Sequence, residues 1–335
     1  MKVSDTRVAP GTIFKEPLTQ EQIDQLPMYE WDVAEIGHQA PPFVYDVTTE
    51  SIADYCKAVR SENPLYLDAA AAAAGPFGGI IAPPTYVFKC SPMRRNEVMH
   101  AQGYASPEEK RDRATPYAKC EVHFQRPIFV GDTITSVVTL ADKYERRGNQ
   151  FVTWHIEAEN QRGEPVVAYD YTIIWRRAPR DPNAAPAPRA TPNGAETEPA
   201  GEPLAVTLTK LETQEAIDDY SELTRVRPRI SPSLHSDPEF AQRTIFGGTV
   251  NMGVATAAYC SELLELAFGP GALLRPGARL EYKGIRPIHA GTEITLTGRV
   301  VSSDADRSEC EITVRNDEQT VVGVATATVV TGDAD

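Results

Sequence analysis

Long apolar runs are missing from this sequence. None approaches the roughly 20 residues that cross a bilayer as a helix, so no membrane span is expected. Cysteine is scarce. The five present, Cys56, Cys90, Cys120, Cys260 and Cys310, are odd in number, widely spaced and never arranged as C-x-x-C. That argues against a disulfide framework and a zinc site and leaves buried thiols as the expectation. Positive charge is in deficit: a formal net charge of -14 disfavours general nucleic-acid binding, which draws on clustered cations. No hydrophobic stretch follows the lysine of MKVSDTRVAPGTIF, so a secretory signal is not supported and a cytoplasmic location is expected. No metal site and no cofactor are read from the residues.

What is present is an ordinary globular composition, with 41% hydrophobic and 24% charged residues in 335. That length exceeds one usual hydrophobic core and favours two domains of about 150 residues each. An internal repeat makes the division concrete. RPIFVGDTITSVVTL (Arg126 to Leu140) reads like RPIHAGTEITLTGRV (Arg286 to Val300). YLDAAAAAAGPFGG (Tyr66 to Gly79) matches HSDPEFAQRTIFGG (His235 to Gly248), and ESIADY (Glu50 to Tyr55) matches EAIDDY (Glu215 to Tyr220). Three matches in one order imply two copies of one unit. A Pro- and Ala-rich stretch with almost no large apolar residues lies between them and reads as a semi-extended linker. The domains are accordingly 1–177, a linker over 178–203, and 204–335.

Each copy repeats one pattern. An extended start (Phe43 to Val47; Leu204 to Leu208) leads through Thr48 or Thr213, candidate N-caps, into a short helix bearing Ile52 and Tyr55 or Ile217 and Tyr220. A polar loop and an F-G-G turn follow, then a long helical stretch, Thr85 to Gln102 in the first copy and Gly253 to Phe268 in the second. Val254, Ala257, Ala258, Leu263, Leu264 and Leu266 predict that the second of these helices is largely buried. Alternating strands close each copy: Lys119 to Phe124, Thr133 to Asp142, Phe151 to Asn160 and Val166 to Trp175, then Leu280 to Lys283, Glu293 to Val301, Glu309 to Val314 and Thr320 to Val330. An antiparallel sheet wrapped around one apolar helix is an α+β arrangement.

With these residues in place the chain resembles the MaoC-like (R-specific) enoyl-CoA hydratase/dehydratase family in its fused form. The first copy is similar to the amino-terminal dehydratase-like half through Asn63, Pro64, Leu65, Tyr66, Asp68 and GGIIAPPT (Gly78 to Thr85). The second is similar to the MaoC half through Tyr220, Ser221, Leu223, Thr224, His235, Asp237, Phe246, Gly247, Gly248 and Gly253. The resemblance implies a double hotdog fold, two sheets each wrapping one helix and joining as a pseudo-dimer, and a hydro-lyase acting on acyl-CoA thioesters. Its reaction would be reversible hydration of a 2-enoyl-CoA to a 3-hydroxyacyl-CoA. The alternative is a non-catalytic acyl-CoA-binding or partner subunit with a decayed active loop. The partner expected is the acyl-CoA, with a homodimer of double-hotdog chains as the assembly. Thioester hydrolysis would need a carboxylate beside the buried helix, and the helix starts at Pro84 to Phe88 and Met252 to Thr256 offer none.

In that family an Asp and a His on the loop carry the proton transfers, and backbone N–H groups at the start of the buried helix bind the thioester oxygen. Here the first copy has Ser61 at the Asp position and Tyr66 at the His position, neither a ready base at neutral pH. It reads as catalytically silent. The second copy keeps His235 on a longer loop, with no carboxylate between Thr224 and His235. His235 is the candidate acid–base residue, with Ser231 and Ser233 as hydroxyls that could share the proton steps. Gly253 has two open readings, contact with the thioester oxygen and close packing of the helix start. Arg225, Arg227 and Arg229 are either a solvated charged face or a clamp for a substrate carboxylate. Tyr66 is carried as a substrate-binding candidate, and Asp237 reads as structural because Asp68 holds the matching place. Arg94, Arg95, Arg111 and Lys283 are the cations that could meet CoA phosphates.

Overall fold

A computed structural model describes residues 18–178, 201–225 and 233–331. Its strands are β1 (Phe43–Asp46), β2 (Tyr117–Phe124), β3 (Thr133–Arg146), β4 (Asn149–Glu159), β5 (Pro165–Arg176), β6 (Glu202–Pro203), β7 (Leu208–Glu212), β8 (Arg279–Gly284), β9 (Thr292–Ser303), β10 (Arg307–Asn316) and β11 (Val321–Val330). They form one sheet in the order β1-β3-β4-β5-β2-β8-β11-β10-β9-β6, with β7 also pairing β9. The two repeats therefore appear as two like-ordered half-sheets, and the seam between them is the antiparallel pair β2–β8. Every pairing of named strands is antiparallel. This is the double hotdog.

The strands form where apolar side chains alternate. In β3, Ile134, Ser136, Val138 and Leu140 are buried while the alternate residues Thr135, Val137 and Thr139 are less so. At the seam Lys119 faces Lys283 and Glu121 faces Glu281 in register. The charges pair diagonally instead, Lys119 with Glu281 at 3.1 Å and Arg279 with Glu121 at 2.9 Å.

Thr48 caps the helix Thr49–Val59 through a capping box with Ser51, and the Thr213 hydroxyl accepts from the N–H of Ala216 at the start of Gln214–Leu223. These helices pack against each other across the seam, with the Tyr55 and Tyr220 rings 6.1 Å apart and Lys57 paired with Asp219 at 3.2 Å. Inside the second half-sheet runs Gly253–Phe268, buried on nearly every side from Val254 to Leu264. Leu266 departs from expectation: it is 56% exposed.

The first copy has no matching long helix. The stretch expected over Thr85 to Gln102 is a 3-10 turn at Pro84–Tyr86, a single turn at Val87–Cys90, and a separate helix at Arg95–Ala101. Pro92 is the physical cause. It has no N–H to donate, and it pushes the preceding residue out of the helical region, where Ser91 sits at φ -134, ψ 62. The Ser91 hydroxyl turns back to the Val87 carbonyl at 2.7 Å.

Two further corrections concern the second copy's entry. Glu202 and Pro203, assigned to the linker, pair with β9 opposite Val300 and Arg299. The strand expected at Leu204 to Leu208 instead covers Leu208–Glu212, and Leu204 is tied to the sheet through its N–H to the Gly298 carbonyl at 2.9 Å. The remainder of the linker lies outside the described residues. All five cysteines are free and buried.

Candidate active site

The turn Ser233–Leu234–His235 enters the second half just before the F-G-G bend. Hydrogen bonds on its backbone hold it, among them one from the Val250 N–H to the Leu234 carbonyl at 3.2 Å. The His235 N–H donates to the Ser233 hydroxyl at 3.1 Å, the Gln214 side chain donates to the His235 carbonyl at 2.8 Å, and the Asp237 N–H donates to the Ser233 carbonyl at 3.1 Å. Asp237 caps the helix Pro238–Gln242 by accepting from Phe240, as Asp68 caps Ala69–Ala74 by accepting from Ala70 and Ala71. The structural reading of Asp237 holds for a concrete reason: the same cap stands in both copies.

His235 Nδ1 lies 2.7 Å from the Val250 carbonyl oxygen. A carbonyl only accepts, so Nδ1 carries the proton in this bond. Val250 lies three residues before Gly253, the first residue of the central helix, so the bond ties the histidine to that helix's entry. Asn251 follows, its side-chain amide donating to the buried Thr256 hydroxyl at 2.8 Å and its N–H donating to the Ile288 carbonyl at 2.9 Å. The helix then begins at Gly253 after Met252, with no side-chain cap on its first N–H groups. The Ala255 N–H donates back to the Met252 carbonyl at 2.9 Å, and the positive end of a 16-residue helix suits an oxygen that gathers negative charge.

These parts line one cavity of about 700 Å³. His235, Ser233, Asn251 and Gly253 contribute from the second half, and Tyr117, Tyr171 and Ile173 from the first. Tyr117 is the hinge of the arrangement. Its hydroxyl donates to the Tyr282 carbonyl at 2.8 Å, and its ring packs so tightly on Gly253 that a Cβ there would lie 2.4 Å from Cδ1. The packing reading of Gly253 is therefore a fact of the structure.

Arg225 also lines the cavity, ion-paired with Glu222 one turn back. Arg227, Arg229 and Ser231 lie outside the described residues. Tyr66 does not join the others: it is 1% exposed, and its hydroxyl donates to the Glu265 carboxylate on the far half of the central helix. A phenol thus fills the place in the first copy that His235 occupies in the second. Of the cations considered for phosphate contacts, Arg94 is only 4% exposed and pairs with Glu97 at 3.1 Å, while Lys283 is held on the sheet by Glu281 at 2.5 Å.

Several functional candidates escaped the sequence reading. Tyr117 and Asn251 belong to no motif, although Asn251 could have been flagged as the residue before an N-cap. His100 also lines the cavity, and its Nε2 approaches the Glu109 carboxylate at 3.1 Å. Burial alone would raise the Glu109 carboxyl, but His100 and the Ser106 donors hold it below its usual value. Among the described residues no three His, Cys, Asp or Glu side chains are placed to hold a metal ion, and no helix is long and apolar enough to cross a membrane.

Comparison with known proteins agrees with this architecture. Residues 34–169 match the family described as FAS1-like, dehydratase domain region. A UPF0336 protein of Saccharopolyspora erythraea is 31% identical over 152 residues, covering 45% of this chain and 95% of that protein. Among solved structures, a MaoC-like dehydratase superposes with a TM-score of 0.69 at 19% identity, covering 88% of this chain and 98% of its own. A conserved hypothetical protein of Mycobacterium tuberculosis, described as having a double hotdog fold, superposes with a TM-score of 0.61 at 15% identity, covering 89% and 97%. The chain therefore belongs to the family of the UPF0336 proteins, with residues 34–169 matching the FAS1-like dehydratase domain region and a double hotdog fold over most of its length.

Proposed function

We propose that this protein reversibly hydrates a 2-enoyl thioester of coenzyme A to the 3-hydroxyacyl thioester, using one site in its second half. The observation that carries the reading is the tie between His235 Nδ1 and the Val250 carbonyl, which holds the imidazole on the same cavity as a helix start that has no side-chain cap. In the forward direction His235 Nε2 takes a proton from water as the water oxygen bonds to C3. The double-bond electrons move toward the thioester, whose oxygen gathers charge at the N–H groups of the helix start. The imidazolium then returns the proton to C2, so one imidazole serves both transfers in turn. The aromatic and aliphatic wall from Tyr117, Tyr171 and Ile173 gives the acyl group an apolar path toward the first half.

A silent first copy suits this arrangement. Its broken helix and its Tyr66 contribute wall and support rather than a second base. One observation favours a non-catalytic acyl-CoA-binding role instead: the Nδ1 partner of His235 is a backbone carbonyl and not a carboxylate. Incubating the protein with a panel of enoyl-CoAs and following loss of the conjugated double bond in the ultraviolet separates the two. Turnover of one member establishes the hydratase; tight binding with no turnover of any establishes the binding role.

A further inference from the structure

We infer that a second cleft, continuous with the active cavity, is a binding site for the nucleotide end of coenzyme A, the 3′-phosphorylated ADP group. It has a volume of about 710 Å³ and shares Glu108, Pro116, Ile174, Arg177 and Phe240 with the first cavity. Five arginines line it, Arg111, Arg113, Arg176, Arg177 and Arg243, against two carboxylates, Glu108 and Asp112. In a chain of net charge -14 such a local excess of cations is out of character with the rest of the surface. Guanidinium groups match phosphate oxygens in paired hydrogen bonds, and three separate phosphates need several of them.

The arginines are not equivalent. Arg113 is fixed, stacked over Trp175 at 5.6 Å and bonded to Glu30 at 3.0 Å, and Arg176 reaches the same Glu30 at 3.0 Å. Arg111 and Arg177 make no ion pair among the described residues, and Arg243 has only Glu239 at 3.8 Å on a side chain that is 70% exposed. These three are the groups with charge to spare for a ligand.

The segment carrying Arg111 and Arg113 is a built loop. The buried Glu109 carboxylate accepts from the Ser106 N–H at 2.9 Å and the Ser106 hydroxyl at 2.8 Å and contacts His100, and the turn it anchors holds Arg111 at φ 56. A left-handed arginine persists only where its surroundings fix it.

Reach agrees with chemistry. Tyr117 touches the helix start, and an extended chain covers at most about 3.6 Å per residue, so Arg113 lies within about 14 Å and Arg111 within about 22 Å of that end of β2. An extended pantetheine arm spans a comparable distance from its thioester to its pyrophosphate. The inference takes the direction of that arm from the thioester reading above, and it selects soluble coenzyme A over an acidic carrier protein as the carrier.

Titration of the intact protein with coenzyme A, 3′-dephospho-coenzyme A and pantetheine tests it without any turnover. The comparison is with the triple variant Arg111→Gln, Arg177→Gln, Arg243→Gln, its folding checked by circular dichroism. Coenzyme A is expected to bind at least about tenfold more tightly than either truncated form, with an affinity that falls as salt rises. The triple variant should lose at least about tenfold for coenzyme A while binding pantetheine as before. Equal binding of coenzyme A and pantetheine, unchanged coenzyme A affinity in the triple variant, or tighter binding of the same acyl group on a carrier protein each overturns the inference. Arginine-dependent binding with no enoyl-CoA hydrated keeps this site and removes the hydratase reading. Hydration whose KM is indifferent to the three arginines does the reverse.

Discussion

The imidazole of His235 is tied by Nδ1 to the carbonyl oxygen of Val250 at 2.7 Å, a bond that holds the ring beside the entry to the central helix. With Nδ1 donating to that carbonyl, proton exchange by the ring would have to run through Nε2.

If His235 carries the proton transfers, His235→Ala lowers kcat by about 10² to 10⁴, the usual contribution of a general acid–base group. Tyr66→Phe, which removes only a hydroxyl bonded to Glu265, changes kcat by less than about tenfold. Both variants are compared on the best enoyl-CoA found. Near-normal turnover in His235→Ala together with loss in Tyr66→Phe reverses the assignment of the active half.

Gly253 is required by its neighbour. A Cβ at this position would stand 2.4 Å from the Tyr117 ring, whose hydroxyl is itself anchored to the Tyr282 carbonyl. Gly253→Ala should destabilise the protein by about 1 to 3 kcal/mol, the usual cost of overpacking, and should raise KM by disturbing the helix start. Adding Tyr117→Leu should recover part of the stability, which denaturant unfolding in a double-mutant cycle measures. Full stability in Gly253→Ala alone rules the contact out as a constraint.

Arg225 stands on the cavity with Glu222 beside it. If the loop serves a substrate bearing its own carboxylate, Arg225→Gln raises KM for a dicarboxylic enoyl-CoA by about tenfold or more, the scale of a lost charged hydrogen bond of roughly 1.5 to 3 kcal/mol. KM for a monocarboxylic enoyl-CoA should hardly move. Equal effects on both substrates make Arg225 a structural charge.

Glu265 links stability to pH. Burial pushes its carboxyl up to about 7, with the Tyr66 hydroxyl offsetting part of the shift and Glu262 adding to it. A raised carboxyl holds its proton more firmly in the folded chain, so its stabilising contribution is complete below about 4.5 and is lost as pH rises through about 7. Glu265→Gln, which cannot ionise, should flatten the fall in Tm across that window. An identical pH slope in both proteins would show that another group sets it.

What the sequence by itself determined is whatever depends on local pattern. The repeat, the caps at Thr48 and Thr213, the alternating strands and the helix Gly253–Phe268 all follow from spacings that a few neighbouring residues impose. The interruption at Pro92 is a local fact as well, since proline lacks a donor, although one helix was expected across Thr85 to Gln102. Only the tertiary structure decided which residues from distant stretches meet. The β2–β8 seam brings Tyr117 of one repeat onto Gly253 of the other, turns Tyr66 toward Glu265, and gathers arginines from three separate segments around one cleft. Strand pairing and side-chain packing set those encounters, and no spacing along the chain encodes them, because burial free energy depends on what the folded neighbours exclude from water rather than on their order in sequence.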